Sequence, residues 1–188
     1  MARNIYNFLK SSSKRQSELK EFQSFLNLEP HKILHPSQTR WLSLAAVVDR
    51  ILEQWDGLKL YFTDTYLSQR LLVTEQIYHG LNDMFMQLGY LFLSWALPLF
   101  TRFNSYFQTK HVVINELHEK ITGLYTEILL CFLKRSYVLK TKFNLINPIS
   151  EEHQLIDSEM YLGVQVANHI DHLQICRDNI RKKDFYQR

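Results

Sequence analysis

His169, His172 and Cys176 fall at i, i+3 and i+7, a spacing that places two imidazoles and a thiol on one face of a helix. Those groups are zinc ligands, but a structural zinc site closes with a fourth, and no paired ligand motif supplies it. Solvated or partly buried side chains are therefore expected, with no metal. His111 and His118 lie one heptad apart with no carboxylate or cysteine at ligand spacing. Ser, His and Asp are plentiful, yet no Gly-x-Ser-x-Gly elbow orders them for nucleophilic attack. A phosphate-cradling Walker loop and a dinucleotide fingerprint are also missing, so neither a cofactor nor a small-molecule substrate is expected.

Basic side chains form the other group with chemical potential. Lys10, Lys14, Arg15 and Lys20 lie near the start, and Arg177, Arg181, Lys182, Lys183 and Arg188 near the finish. The formal net charge is +3 with a pI near 8.8, which permits contact with nucleic acid without the dense basic face of a dedicated binding domain. A solvated helix face or a frayed tail is the more ordinary account of each cluster. The two cysteines, Cys131 and Cys176, are far apart, a pattern of reduced thiols rather than of a disulfide framework. The N-terminus has no apolar h-region with a small-residue cleavage site, and Leu88–Phe100 is shorter than the roughly 20 apolar residues a bilayer span needs. A soluble intracellular chain with no membrane partner is the expectation.

Helices must position these groups. Five Gly and four Pro in 188 residues leave few turns, and no segment sustains the period-2 alternation of a half-buried strand. Ile5, Phe8 and Leu9 suggest a short first helix. Ser13 through Gln16 reads as a capping box, followed by Leu19, Phe22 and Leu26 at helical spacing. Pro30 and Pro36 make the segment from Asn27 to Thr39 an extended connector. Leu44, Val48, Ile51, Trp55, Leu58 and Phe62 then form a continuous apolar stripe, ending near Thr63 and Asp64. Asp49, Arg50, Glu53, Gln54, Asp56 and Lys59 fill the opposite face.

A further helix is predicted from Thr74 to about Phe107, buried centrally along Leu88–Phe100 and kinked or broken at Pro98. The next should run from Thr109 to about Lys134 on the stripe Val113, Ile114, Leu117, Ile121, Leu124, Ile128 and Cys131. A linker around Pro148 precedes a helix start at Ser150, Glu151 and Glu152, and a last helix covers about Tyr161 to Lys183. The fold class is all-α, an irregular bundle of long antiparallel helices. Residues 1–40 are read as an N-terminal arm with its connector, and 41–188 as the helical domain.

The run Leu34-His35-Pro36-Ser37-Gln38-Thr39-Arg40-Trp41-Leu42-Ser43, followed by Ile51–Asp56 and Leu60–Phe62, resembles the Thr-Arg-Trp region of hAT-superfamily transposases and of vertebrate proteins domesticated from them, including the zinc-finger BED-type group. Phe92–Ser94, Leu97–Phe100, Phe103-Asn104 and Phe107-Gln108 are similar to the helices that follow, and a weaker likeness runs through Tyr161–Gly163 to Phe185-Tyr186. The resemblance implies a fragment of an RNase H-like transposase covering its all-helical insertion. In that family three acids hold divalent metal for strand cleavage. Before Arg40 this sequence has Glu18, Glu21 and Glu29, none of them an Asp at the end of an apolar strand, and Arg188 falls inside the insertion region. No catalytic acid is carried over, and the BED finger and dimerisation region are not among these residues.

The resemblance makes Trp41 a stacking platform for an extruded base, with Arg40 as its neighbour. Packing of Trp41 against its own helix is the competing reading. Three functions remain open: a non-catalytic protein-interaction module, binding a protein partner or itself through an exposed aromatic groove; weak DNA binding in the nucleus through Arg40, Trp41, Lys14 and Arg15; or a transposon relic with no activity.

Overall fold

Every regular element of the computed structural model is a helix or a helical turn; it describes residues 1–36, 41–108 and 114–172. About 75% of these residues are helical, and no strand occurs among them, only an isolated antiparallel bridge between Leu133 and Gln154. The all-α class is therefore as expected, and no part of an RNase H-like sheet lies among the described residues.

Two compact units divide between Leu97 and Pro98, so the boundary expected near residue 40 falls inside the first. That unit begins with α1 (Ala2–Lys10) and α2 (Ser13–Phe25). Ile5, Phe8 and Leu9 of α1 are all buried, which ties the N-terminal residues into the core rather than leaving an arm. The cap of α2 is Ser12, one residue before the expected capping box: its extended backbone lets Oγ accept from the Arg15 N–H at 3.4 Å. Gln16 instead donates from Nε2 to the Leu9 carbonyl at 3.2 Å.

The long helix expected over residues 44–62 is two, α3 (Trp41–Glu53) and α4 (Trp55–Gln69), with Gln54 at the junction. Its stripe is placed as expected: Val48, Ile51, Trp55, Leu58 and Phe62 are buried, with Leu44 packed against them. Thr63 and Asp64 do not end it. The hydroxyls of Thr63 and Thr65 donate back to the carbonyls of Lys59 and Tyr61, at 2.7 and 2.8 Å, which accommodates them inside the helix. Arg70 closes α4 in the left-handed conformation (φ 49°).

The next expected helix also divides, into α5 (Leu72–Asn82) and α6 (Met84–Phe107). Asp83 separates them: it takes an extended backbone, and its Oδ1 accepts from the Phe85 N–H at 2.9 Å, starting a new helix. α6 is 24 residues long and runs through Pro98 as one helix, so the chain does not break there. By length and composition alone it is long and apolar enough to cross a membrane. The central burial expected of it is not found. Only 17% of its most apolar 18-residue window is buried.

The second unit continues with a 3-10 turn at Ile114–Glu116 and α7 (Leu117–Leu129), five residues short of the expected end. The chain turns there because Leu133 pairs with Gln154, and the Lys134 and Leu155 N–H groups donate to the His153 and Phe132 carbonyls, each at 2.8 Å. α8 (Arg135–Lys140) packs Val138 with Leu129 and Leu133. The helix start expected at Ser150 is only a 3-10 turn, Glu151–His153, and α9 (Val164–His172) begins after Gly163 at φ 98°.

Candidate functional site

Of the four residues singled out for DNA contact, the side chains of two, Lys14 and Arg15, are described. Arg40 lies outside the described residues, and of Trp41 only the backbone, the first residue of α3, is described. Lys14 is exposed and faces Glu18 at 3.8 Å, a surface pair one helical turn apart. Arg15 is engaged internally: Nη1 donates to the Phe8 carbonyl at 3.1 Å and to Ser11 Oγ at 2.9 Å. Its guanidinium also stacks 3.8 Å from the centroid of the Phe8 ring. Those bonds close the α1–α2 corner, so Arg15→Ala should lower stability by about 1–2 kcal/mol in urea unfolding. A change in DNA affinity with stability untouched would contradict the assignment.

His169 and His172 belong to α9, while Cys176 lies outside the described residues. Burial first, and His172 second, push the His169 imidazole below its ordinary range, and its Nε2 has no hydrogen-bond partner. Among the described residues no three His, Cys, Asp or Glu side chains are grouped to hold a metal ion. Cys131 is a free thiol held above its usual pKa by burial, then by Glu127, which disfavours the reactive thiolate.

The second unit does assemble an open concave surface. The C-terminal half of α6 and α7 enclose a groove of about 440 Å3, with Leu99, Phe103 and Leu124 as its apolar lining. Helical spacing sets this up: Leu99, Phe103 and Tyr106 lie four and three apart on α6, and Lys120, Gly123, Leu124 and Glu127 on α7 follow the same rule. Gly123 leaves an opening, since a Cβ there would meet no heavy atom within 4 Å. Charges rim the groove: Arg102 reaches Glu127 at 3.5 Å, and the Lys120 ammonium sits 4.6 Å from the Tyr106 ring centroid. The Tyr106 hydroxyl donates to Glu116, which raises its pKa. Ile114 and Ile121, two members of the stripe predicted to be core, are exposed.

Leu99 and Phe103 entered the sequence reading only through the family resemblance and Tyr106 not at all, and apolar periodicity assigned their neighbours to a buried core. The signal in the sequence was the excess of apolar positions on α6 and α7 over what two adjacent helices can cover. Comparison with protein-family models, with curated proteins and with solved structures gives no match.

Proposed function

We propose that this chain is a non-catalytic protein-interaction module derived from a hAT-type transposase, and that its α6–α7 groove receives a helix from a second copy of the chain. The observation that carries the reading is the groove itself, apolar at its centre and charged at its rim, the arrangement by which helix-in-groove recognition works. Its rim holds two basic groups, Arg102 and Lys120, and two acidic ones, Glu119 and Glu127. Such a balanced rim is self-complementary across a two-fold axis, where each residue meets its opposite on the partner. The exposed Ile114 and Ile121 offer apolar surface from the same segment. In-chain ion pairing at the rim is no obstacle, because exposed pairs are worth only about 0–1 kcal/mol and re-form readily.

Sedimentation velocity across a concentration series tests this. Association that strengthens with concentration is expected, and Gly123→Trp, which puts an indole at the opening where a Cβ meets no heavy atom within 4 Å, should weaken it at least tenfold. A chain that stays monomeric, or a Gly123→Trp variant that associates unchanged, overturns the reading. Binding to hairpin-ended and intact duplex at two salt concentrations separates it from the DNA alternative. Selective loss of the hairpin in Trp41→Ala would replace the interaction module with DNA recognition. With magnesium or manganese present, no nicking or joining of DNA is expected. Metal-dependent cleavage would refute the non-catalytic assignment.

A further inference from the structure

α7 has two faces with different surroundings. On one of them Leu129 is buried with Leu133 and Val138, Tyr125 packs against that cluster, and the rings of His118 and Tyr125 both meet Phe143. His118, Tyr125 and Leu129 stand seven and four residues apart, so a single line along the helix makes these contacts. Lys120, Gly123, Leu124 and Glu127 lie on the opposite side and line the α6–α7 groove. Gly123 and Glu127 are exposed there, and Lys120 and Leu124 are half-buried.

The order of those four residues selects an occupant. Lys120 and Glu127 are seven apart, and two helical turns take about 7.2 residues, so both charges stand on one line. Midway between them are Gly123 and Leu124, one with no side chain and one with a branched apolar side chain. Let a second α7 be turned end for end about a two-fold axis that passes between residues 123 and 124. Lys120 then faces Glu127 of the partner subunit, and Glu127 faces Lys120 of the partner subunit. Leu124 comes against Gly123 of the partner subunit, where a Cβ would meet no heavy atom within 4 Å, and the symmetry repeats that fit once more. Helix axes pack about 8–10 Å apart depending on the side chains at the contact, and a glycine at the crossing permits the close end of that range. A parallel alignment brings each residue to its own copy, lysine to lysine and glutamate to glutamate, which repel.

We infer that the helix received by the α6–α7 groove is α7 of a second copy, antiparallel, crossing at Gly123 and Leu124 with Lys120 and Glu127 paired across the two-fold axis. The inference rests on the interaction-module reading and adds to it the segment, its direction and its register. Leu99 and Phe103, four apart on α6, supply the apolar wall beside the incoming helix.

Charge exchange in the full chain tests it by sedimentation velocity. Lys120→Glu and Glu127→Lys should each weaken association at least tenfold, because each turns both cross-axis pairs into like charges. Mixed one to one, the two variants regain both pairs, since one chain then carries two acids and the other two bases. The mixture should therefore sediment as the wild type does, and that recovery excludes unfolding as the cause of the single losses. Glu127 also reaches Arg102 of its own chain at 3.5 Å. The double variant Lys120→Glu/Glu127→Lys separates that contact: it should recover wild-type association, whereas a loss arising beside Arg102 would persist. A wild-type chain that stays monomeric overturns this inference together with the interaction-module reading. If the wild type associates but the mixture is no tighter than either variant alone, the antiparallel register is overturned, and the groove reading stands or falls on Gly123→Trp.

Discussion

Trp55→Ala should cost about 3–5 kcal/mol of stability, the usual range for deleting a large aromatic from a packed core. Trp55 is 3% exposed, in the first turn of α4, and meets Tyr90 of α6 edge to face at 5.6 Å. Its removal opens a cavity where the α3–α4 junction and the start of α6 share one core, and neighbours fixed by helix packing relax only partly. Lys59→Ala, on the exposed face of the same helix, should stay within about 0.5 kcal/mol. Urea unfolding followed by far-ultraviolet circular dichroism measures both without relying on tryptophan emission. Equal effects for the two variants would show that the faces of α4 are wrongly assigned.

The next largest effect is expected at Gln54. Gln54→Leu keeps an apolar body of similar size but removes the acceptor for Gln23 Nε2 and the donor for the Glu29 carbonyl. A group left unpaired in the interior costs about 1–3 kcal/mol; the Glu29 carbonyl loses its donor outright while Gln23 Nε2 keeps its bond to the His31 carbonyl, which puts the total loss at about 2–4 kcal/mol. The partners act as a unit. In the double variant with Gln23→Leu, the two losses should therefore fall short of additivity by about 1 kcal/mol, within the range seen for residues in direct contact. A neutral Gln54→Leu, or strict additivity, would mean that the glutamine pair does not hold the connector.

The position of Gln54 also shows where the sequence stopped being legible. The stripe from Leu44 to Phe62 announced a helix and its buried face, because period and polarity agreed at each of its six positions. The same logic put Gln54 with the charged residues outside, yet it is fully buried. Periodicity reads polarity, and cannot tell a polar side chain facing water from one facing carbonyls of a distant segment. Asp83 failed for a related reason: the apolar spacing runs across it, and only its backbone and side-chain oxygen reveal the start of α6. On α6 and α7 the period was read correctly and the burial was not. A stripe states which face is apolar, but whether this chain covers that face depends on how many other elements reach it, and Ile114 and Ile121 remain uncovered. Of the candidate DNA residues, the charge of Arg15 was visible, whereas its engagement with Phe8 and Ser11 required the α1–α2 corner.

The connector is held by the main-chain oxygens of Glu29 and His31, with Arg50 reaching the Lys32 carbonyl at 3.4 Å. Main-chain oxygens are the same whatever side chain they accompany. Over evolutionary time this strand of coil can therefore drift in spelling while staying fixed in length. Descendants could exchange Glu29 for almost any residue, but one inserted or deleted between Glu29 and His31 would change the spacing of the two carbonyls that the glutamines hold. Gap-free length through this stretch, beside unconstrained letters, is the mark such a clasp should leave on a lineage.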